Sequence, residues 1–186
     1  MELLFFLMTN DLQLAREAEQ AGVERIGPDL EILGKEARQG YLEGIGISNF
    51  REEPPHPPLS KGEQGGVFNV RISRHTVEDV GRIRSVLEKY EVFVRINPIH
   101  SGSEEEIERV LEGGAQVIML PMFRTVAEAS HFVTMIQGRA KPVLLLETPE
   151  AMMRIDEFVA VEGIHEVHFG LNDLCLGLNL LSFPRV

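Results

Sequence analysis

The sequence predicts an α/β protein, a parallel (β/α) TIM-barrel left incomplete at about six of eight βα units. Three observations predict it. Continuous apolar runs such as VIML at 117–120 and VLLL at 143–146 are what strands covered on both faces require. These runs alternate with amphipathic helical stretches, and strand, helix and loop together recur at roughly 25–30 residues, the step of a parallel α/β fold. The chain has 186 residues, whereas eight βα units need about 250.

The elements follow in order. Leu3–Met8 is the first strand, and Asp11 caps a helix that runs to about Ala21 and stops at Gly22. Val23–Leu30 is the second strand, although Pro28 removes a ladder donor from it. Residues 34–40 (GKEARQG) read as a polar loop or short helix. Residues 49–66 (NFREEPPHPPLSKGEQGG) are dense in Pro, Gly and charge and cannot bury a face, so they read as a disordered inserted loop. Residues 67–72 are a possible extended segment. Thr76–Tyr90 is helical, with Val77, Val80, Ile83, Val86 and Leu87 at helical spacing. Val92–Ile96 is a strand. Ser103–Leu111 is a helix whose first turn carries Glu104, Glu105 and Glu106, which suits the helix dipole. Val117–Pro121 is a strand and Val126–Ile136 a helix. Pro142–Leu146 is a strand, Ala151–Val161 a helix and Val167–Gly170 the sixth strand. The whole chain, 1–186, is thus one incomplete barrel domain interrupted by the insertion, with the first and sixth strands as open edges.

Composition narrows the function. An apolar fraction of 44% and a charged fraction of 25% are ordinary for a globular protein. A formal net charge of −11 repels phosphate backbones and anionic membranes, so neither nucleic acid nor membrane is an expected partner. The single cysteine, Cys175, fits a reducing, cytoplasmic setting. The opening MELLFFLMTND is too short for a span and wrongly flanked for a signal peptide.

Function in parallel α/β folds collects beyond the C-terminal ends of the strands. Those positions hold Asp29 and Glu31 after the second strand and Arg95 with Asn97 around the end of the third. Pro121 and Met122 follow the fourth, Glu147 the fifth, and Asn172 with Asp173 the sixth. Glu147 and Asp173 come from adjacent strands, about 4.8 Å apart along the sheet, and could share one hard divalent cation, which prefers oxygen ligands. Arg95 could fork onto a substrate carboxylate or enolate oxygen. Read alone, the two acids would be a helix cap and a solvated loop acid, and Arg95 a structural ion pair to Glu147 or Asp29.

The run VRINP, GAQVIMLPMF, VLLLETPEAM and GIHEVHFGLNDLCLG, over about Glu91 to Gly177, resembles the HpcH/HpaI aldolase and citrate lyase beta-subunit family. That resemblance implies that Glu147 and Asp173 bind Mg²⁺ or Mn²⁺ and that Arg95 anchors the substrate. Asp29 and Glu31, with Lys35 and Arg38, resemble the DLE motif of the citrate lyase branch. The implied activity is cleavage or formation of a carbon–carbon bond beside a carbonyl, on a 2-oxo acid such as pyruvate or an acyl-CoA, through a metal-stabilised enolate. A homo-oligomer is the implied state of a stable product. The chain departs from the aldolase branch in lacking a histidine just after the second-strand acids, and from the citrate lyase branch in carrying Ile32 where that branch often has another Asp. The base is therefore unassigned, with His100 as a candidate near the rim and His168 as a packed core histidine. A catalytically inactive remnant or metal-binding module of the same fold is the alternative.

Overall fold

In the computed structural model, which describes residues 4–35 and 73–178, six short parallel strands pair in chain order, β1 to β6. They are β1 (Phe6–Met8), β2 (Arg25–Gly27), β3 (Glu91–Arg95), β4 (Val117–Leu120), β5 (Lys141–Leu146) and β6 (Glu166–Phe169). The helices are α1 (Leu12–Gln20), α2 (Glu78–Arg84), α3 (Ser103–Glu112), α4 (Val126–Ile136), α5 (Pro149–Met153), α6 (Ile155–Val159) and α7 (Leu171–Gly177). The curled sheet is a half-barrel. Within it β1 and β6 are the edges, as the strand count expects.

The chain forms two compact units, one of residues 1–31 and 73–186 and one of residues 32–72. The second is described only at Ile32–Lys35, a turn in which Lys35 N–H donates to the Ile32 carbonyl at 3.3 Å. Lys35 is buried there, although it falls in the stretch that reads as a polar loop or short helix. The expected insertion at 49–66, the segment at 67–72, and Arg38 lie outside the described residues.

Capping chemistry sets the helix starts. Asp11 accepts from the Gln13 and Leu14 amides, and Thr125 with Glu128 forms a reciprocal capping box at α4. Several expected elements are corrected. The Thr76–Tyr90 helix is only Glu78–Arg84. The Ala151–Val161 helix is two five-residue helices broken at Arg154. Leu171–Gly177 is α7, so Asp173, which read alone is a loop acid, is helical. Pro28 shortens β2 as its missing N–H requires. Pairing resumes only as a bridge between Asp29 and Arg95, where the Pro28 carbonyl accepts from Arg95 N–H at 3.3 Å.

Side chains alternate across each strand, and the alternation splits the core in two. Ile26, Val92, Val94, Ile118, Leu120, Leu144 and Leu146 face the helices and join the large cluster with Ile83, Val110, Phe132 and Phe158. Phe93, Val117, Met119, Val143 and Leu145 face inward and form a smaller cluster, with Met8 against it. The register keeps the inward set aligned, with Phe93 opposite Val117 and Arg95 opposite Met119. Gly27 lies where a Cβ would stand 1.7 Å from the Phe93 carbonyl oxygen, so β2 and β3 approach closely only with glycine there.

Candidate functional site

The inward alternation decides which polar groups meet. Arg95 is the next inward position after Phe93, and Glu147 the next after Leu145. Both line a cavity of about 350 Å³ at the C-terminal ends of the strands, together with Phe6, Met8, Met119, Leu145 and the segment Phe169–Asp173. Of the expected site residues, Arg95, Glu147, Asn172 and Asp173 line it.

Asp29 and Glu31 stand beside Arg95. Its Nε donates to Asp29 Oδ1 at 2.8 Å and its Nη2 to Asp29 Oδ2 at 2.7 Å, a fork-on-fork pair. Glu31 Oε2 lies 3.3 Å from the same Nη2. Asp29 is itself fixed: its Oδ2 accepts from Ser73 at 3.1 Å, its Oδ1 from Glu31 N–H at 3.2 Å, and its own N–H donates to His75 Nδ1 at 2.9 Å. Burial opposes the Arg95 charge, but the Asp29 hydrogen bonds and the charges of Asp29, Glu31 and Glu147 outweigh it and hold the guanidinium firmly protonated. The ion pair to Asp29 and the cavity-lining position thus coexist.

Glu147 is 3% exposed. Burial first, and the nearby charges of Glu31 and Asp173 second, push its carboxyl up to about 8. Met122 N–H donates to Glu147 Oε1 at 3.0 Å, and Met122 reaches that position in a left-handed conformation, φ 55°. On the other side, a Cβ on Gly170 would lie 2.6 Å from Glu147 Cβ and Oε2, so glycine there lets β6 pass against the carboxylate. Thr148, and not Glu147, caps α5. Asp173 lies in the first turn of α7 rather than in a loop.

The other expected residues act elsewhere. Asn97 does not line the cavity, and its Nδ2 donates to Glu106 Oε1 at 2.8 Å. Met122 contributes its backbone N–H, and Pro121 precedes it without lining the cavity. His100 is committed on both nitrogens: Nδ1 accepts from Gly102 N–H at 3.0 Å and Nε2 lies 3.1 Å from Glu106 Oε2. That removes it as a ready base. His168 packs its ring on Phe6 but is only partly buried, and its Nε2 lies 2.6 Å from Glu166 Oε1. Of the apolar lining, Met119 reads from the sequence as core or pocket lining, whereas Phe6, Met8, Leu145, Phe169 and Leu171 were not singled out. For Leu145 the signal was there, two positions before Glu147.

The donor set fits a hard divalent cation. Glu147 and Asp173 offer carboxylate oxygens, and the cavity has room for substrate and water to complete the shell. Burial first, and then the charges of Glu31 and Asp173, raise Glu147, and a dication would offset that repulsion. Among the described residues no three His, Cys, Asp or Glu side chains form a ready-made ligand cage, so the protein's share would be two oxygens.

Comparisons with known proteins agree with the geometry. The HpcH/HpaI aldolase/citrate lyase family model matches residues 71–185. The fold is similar to that of citrate synthase SbnG, at 16% identity and TM-score 0.64, over 95% of this chain and 63% of that one. An HpcH/HpaI aldolase from Desulfitobacterium hafniense DCB-2 gives 16% identity and TM-score 0.63, over 96% and 65%. The citrate lyase beta subunit of M. tuberculosis, solved with oxaloacetate and magnesium, gives 17% and 0.58, over 97% and 63%. The chain therefore spans less than two thirds of the length of these three proteins. No curated protein matches the sequence. No helix among the described residues is long and apolar enough to cross a membrane.

Proposed function

Because the chain belongs to the HpcH/HpaI aldolase/citrate lyase family, we propose that it is a magnesium- or manganese-dependent carbon–carbon lyase acting on a 2-oxo acid or a related carboxylate. The observation that carries this reading is the shared cavity: Arg95, Glu147 and Asp173 line one space of about 350 Å³, with Glu147 under like-charge stress from its neighbours. A bound divalent cation would supply Lewis-acid stabilisation of the negative charge that develops on a substrate carbonyl oxygen. Glu147 and Asp173 would hold it, and the M. tuberculosis citrate lyase beta subunit, solved with oxaloacetate and magnesium, supports a cation and an oxo acid as ligands here.

The chain's own groups divide the remaining work. Asp29 fixes the Arg95 guanidinium in plane, leaving its cavity-facing edge to meet a carboxylate or a developing oxyanion. Met122 N–H orients Glu147. Met119, Leu145, Phe6 and Phe169 present an apolar wall that strengthens every charge interaction inside. The small cavity and its single arginine favour a small free acid over the bulk of a CoA thioester. Family membership and the charge of −11 favour an internal, non-nucleic-acid role.

A second reading has its own observation. No histidine or lysine lines the cavity among the described residues, and His100 is engaged on both nitrogens. A divalent-cation and oxo-acid binding module without turnover follows from that. The test is a titration of the full chain with Mn²⁺ and then oxalate, followed by an assay for pyruvate or acetate release from aldol and citrate-type substrates. Binding that vanishes in Glu147→Gln supports the site, and turnover selects the lyase over the module. Absence of Mn²⁺ binding in the wild type would sink both.

A further inference from the structure

The inward faces of the strands carry a second polar cluster, at the end of the sheet away from the cavity. Arg25 on β2 is 3% exposed. Its Nη1 and Nη2 both donate to the Glu166 carboxylate on β6, Nη2 at 2.8 Å, and its Nε donates to Glu91 Oε2 on β3 at 3.4 Å. Lys141 Nζ on β5 reaches Glu91 Oε1 at 2.5 Å. His168 lies 2.6 Å from Glu166, and its ring packs on Phe6 of β1 with centroids 5.2 Å apart.

Ladder hydrogen bonds join only neighbouring strands, so β2 and β6 share none. The Arg25–Glu166 fork crosses the hollow of the sheet between them. Each end of the fork sits on a strand that leads to the cavity. Beyond Arg25 come Asp29 and Glu31, which hold Arg95. Beyond Glu166 come Gly170, packed on Glu147, and Asp173. Glu147 directly follows β5 and Asp173 lies in the first turn of α7 just past β6, two strands paired from Val143–Glu166 to Leu146–Phe169, whereas Arg95 lies two strands from β5. Curl of the sheet therefore changes the gap between arginine and acids far more than it changes the gap between the two acids.

We propose that Arg25 and Glu166 are positioning residues, which set that curl and so the span between the Arg95 guanidinium and the Glu147–Asp173 pair. This rests on the cavity being a divalent-cation and carboxylate site. The geometry separates two affinities. A cation held just past the ends of β5 and β6 should be indifferent to the fork, and a dianion that touches both the cation and Arg95 should depend on it.

The experiment uses the full chain and the variants Arg25→Met, Arg25→Lys and Glu166→Gln. Mn²⁺ affinity is read by electron paramagnetic resonance, and oxalate affinity by calorimetry at saturating Mn²⁺. Arg25→Met should leave Mn²⁺ affinity nearly unchanged and weaken oxalate about tenfold or more, since small misplacements of a binding group carry large penalties. Arg25→Lys should restore most of the loss, and Glu166→Gln should fall between. Unchanged oxalate affinity in Arg25→Met overturns the proposal, as does an equal fall in both affinities, the mark of general destabilisation. A readout independent of the cavity comes from spin labels at the exposed Arg16→Cys on α1 and Asp156→Cys on α6, in a Cys175→Ser background. Their distance distribution should shift or broaden in Arg25→Met, and an identical distribution refutes the tie between the walls. If the wild type takes up no Mn²⁺ while the distances respond, the reading of the cavity fails and the tie stands.

Discussion

Replacing Glu147 by glutamine isolates the electrostatic stress of the cavity. In the metal-free protein this carboxyl titrates near 8 instead of its usual 4.5, because burial and the charges of Glu31 and Asp173 disfavour its ionised form. A group whose folded value is raised holds its proton more tightly in the folded state than in the unfolded one. Its contribution to stability is complete below about pH 4.5 and is lost as pH rises through about 8. At ~1.4 kcal/mol per pH unit, the loss between pH 5 and pH 8 amounts to at most roughly 4 kcal/mol. The Glu147→Gln variant keeps an acceptor for the Met122 N–H, which Glu147 holds at 3.0 Å, and removes the ionisation. Urea unfolding of both proteins in chelator, at half-unit steps from pH 5 to pH 9, should therefore give stability curves that converge at the acid end and diverge toward pH 8, the wild type falling further. Mn²⁺ binds the ionised carboxylate, so wild-type affinity should climb by up to about tenfold per pH unit below 8 and then level off, while Glu147→Gln shows little binding at any pH. Parallel stability curves, or a pH-independent Mn²⁺ affinity between pH 6 and pH 8, would refute the reasoning.

Three further substitutions test the parts around it. Asp29→Ala removes both acceptors of the Arg95 fork; Glu31 and Glu147 still face the guanidinium, so the loss in urea unfolding should sit at the low end of the buried-pair range, about 3 kcal/mol, with oxalate affinity falling alongside. Gly170→Ala drives a methyl to 2.6 Å from Glu147 Cβ and Oε2, so Mn²⁺ affinity should drop and stability fall by about 1–3 kcal/mol, read by calorimetry and urea unfolding together. Thr125→Ala breaks the capping box at α4, whose residues do not line the cavity; it should lose about 1 kcal/mol in urea unfolding and leave Mn²⁺ and oxalate titrations at wild-type values.

The parallel fold was legible because its strands are apolar on both faces, a composition that few other elements share. Val117–Leu120 and Val126–Ile136 stand where the pattern put them, since nothing competes with the apolar period there. Boundaries failed where a local break outweighed the period. Apolar spacing runs on past Arg84, yet α2 stops there with Ser85 as its cap, its hydroxyl turned back to the Arg82 carbonyl at 2.6 Å. The Ala151–Val161 stretch breaks at Arg154, whose φ of −121° is not helical. At the site, Arg95, Glu147 and Asp173 were readable because strand ends in a parallel sheet converge by topology. The destination of Asn97 was not. Its partner Glu106 lies on α3, in a run of three glutamates that spacing alone cannot tell apart.

The same alternation explains why a site can be specified by so few residues. Once Phe93 and Leu145 point into the hollow, Arg95 and Glu147 must follow them inward, two residues on. One face of each strand thus carries packing in its middle and charge at its ends. At one end the charges are matched: Arg25 meets Glu166 and Glu91, and the His168 hydrogen bond, aided by Arg25, holds the Glu166 carboxyl down to about 2. At the other end they are mismatched, and Glu147 is pushed the opposite way, to about 8. Two glutamates on the inward faces of neighbouring strands thus differ first by burial, Glu147 being the more enclosed, and then by their charged company. A balanced cluster favours the fold as it stands, whereas a surplus of negative charge around a cavity favours a cation. That contrast, more than the presence of acids as such, separates the structural end of the sheet from the end where chemistry is expected.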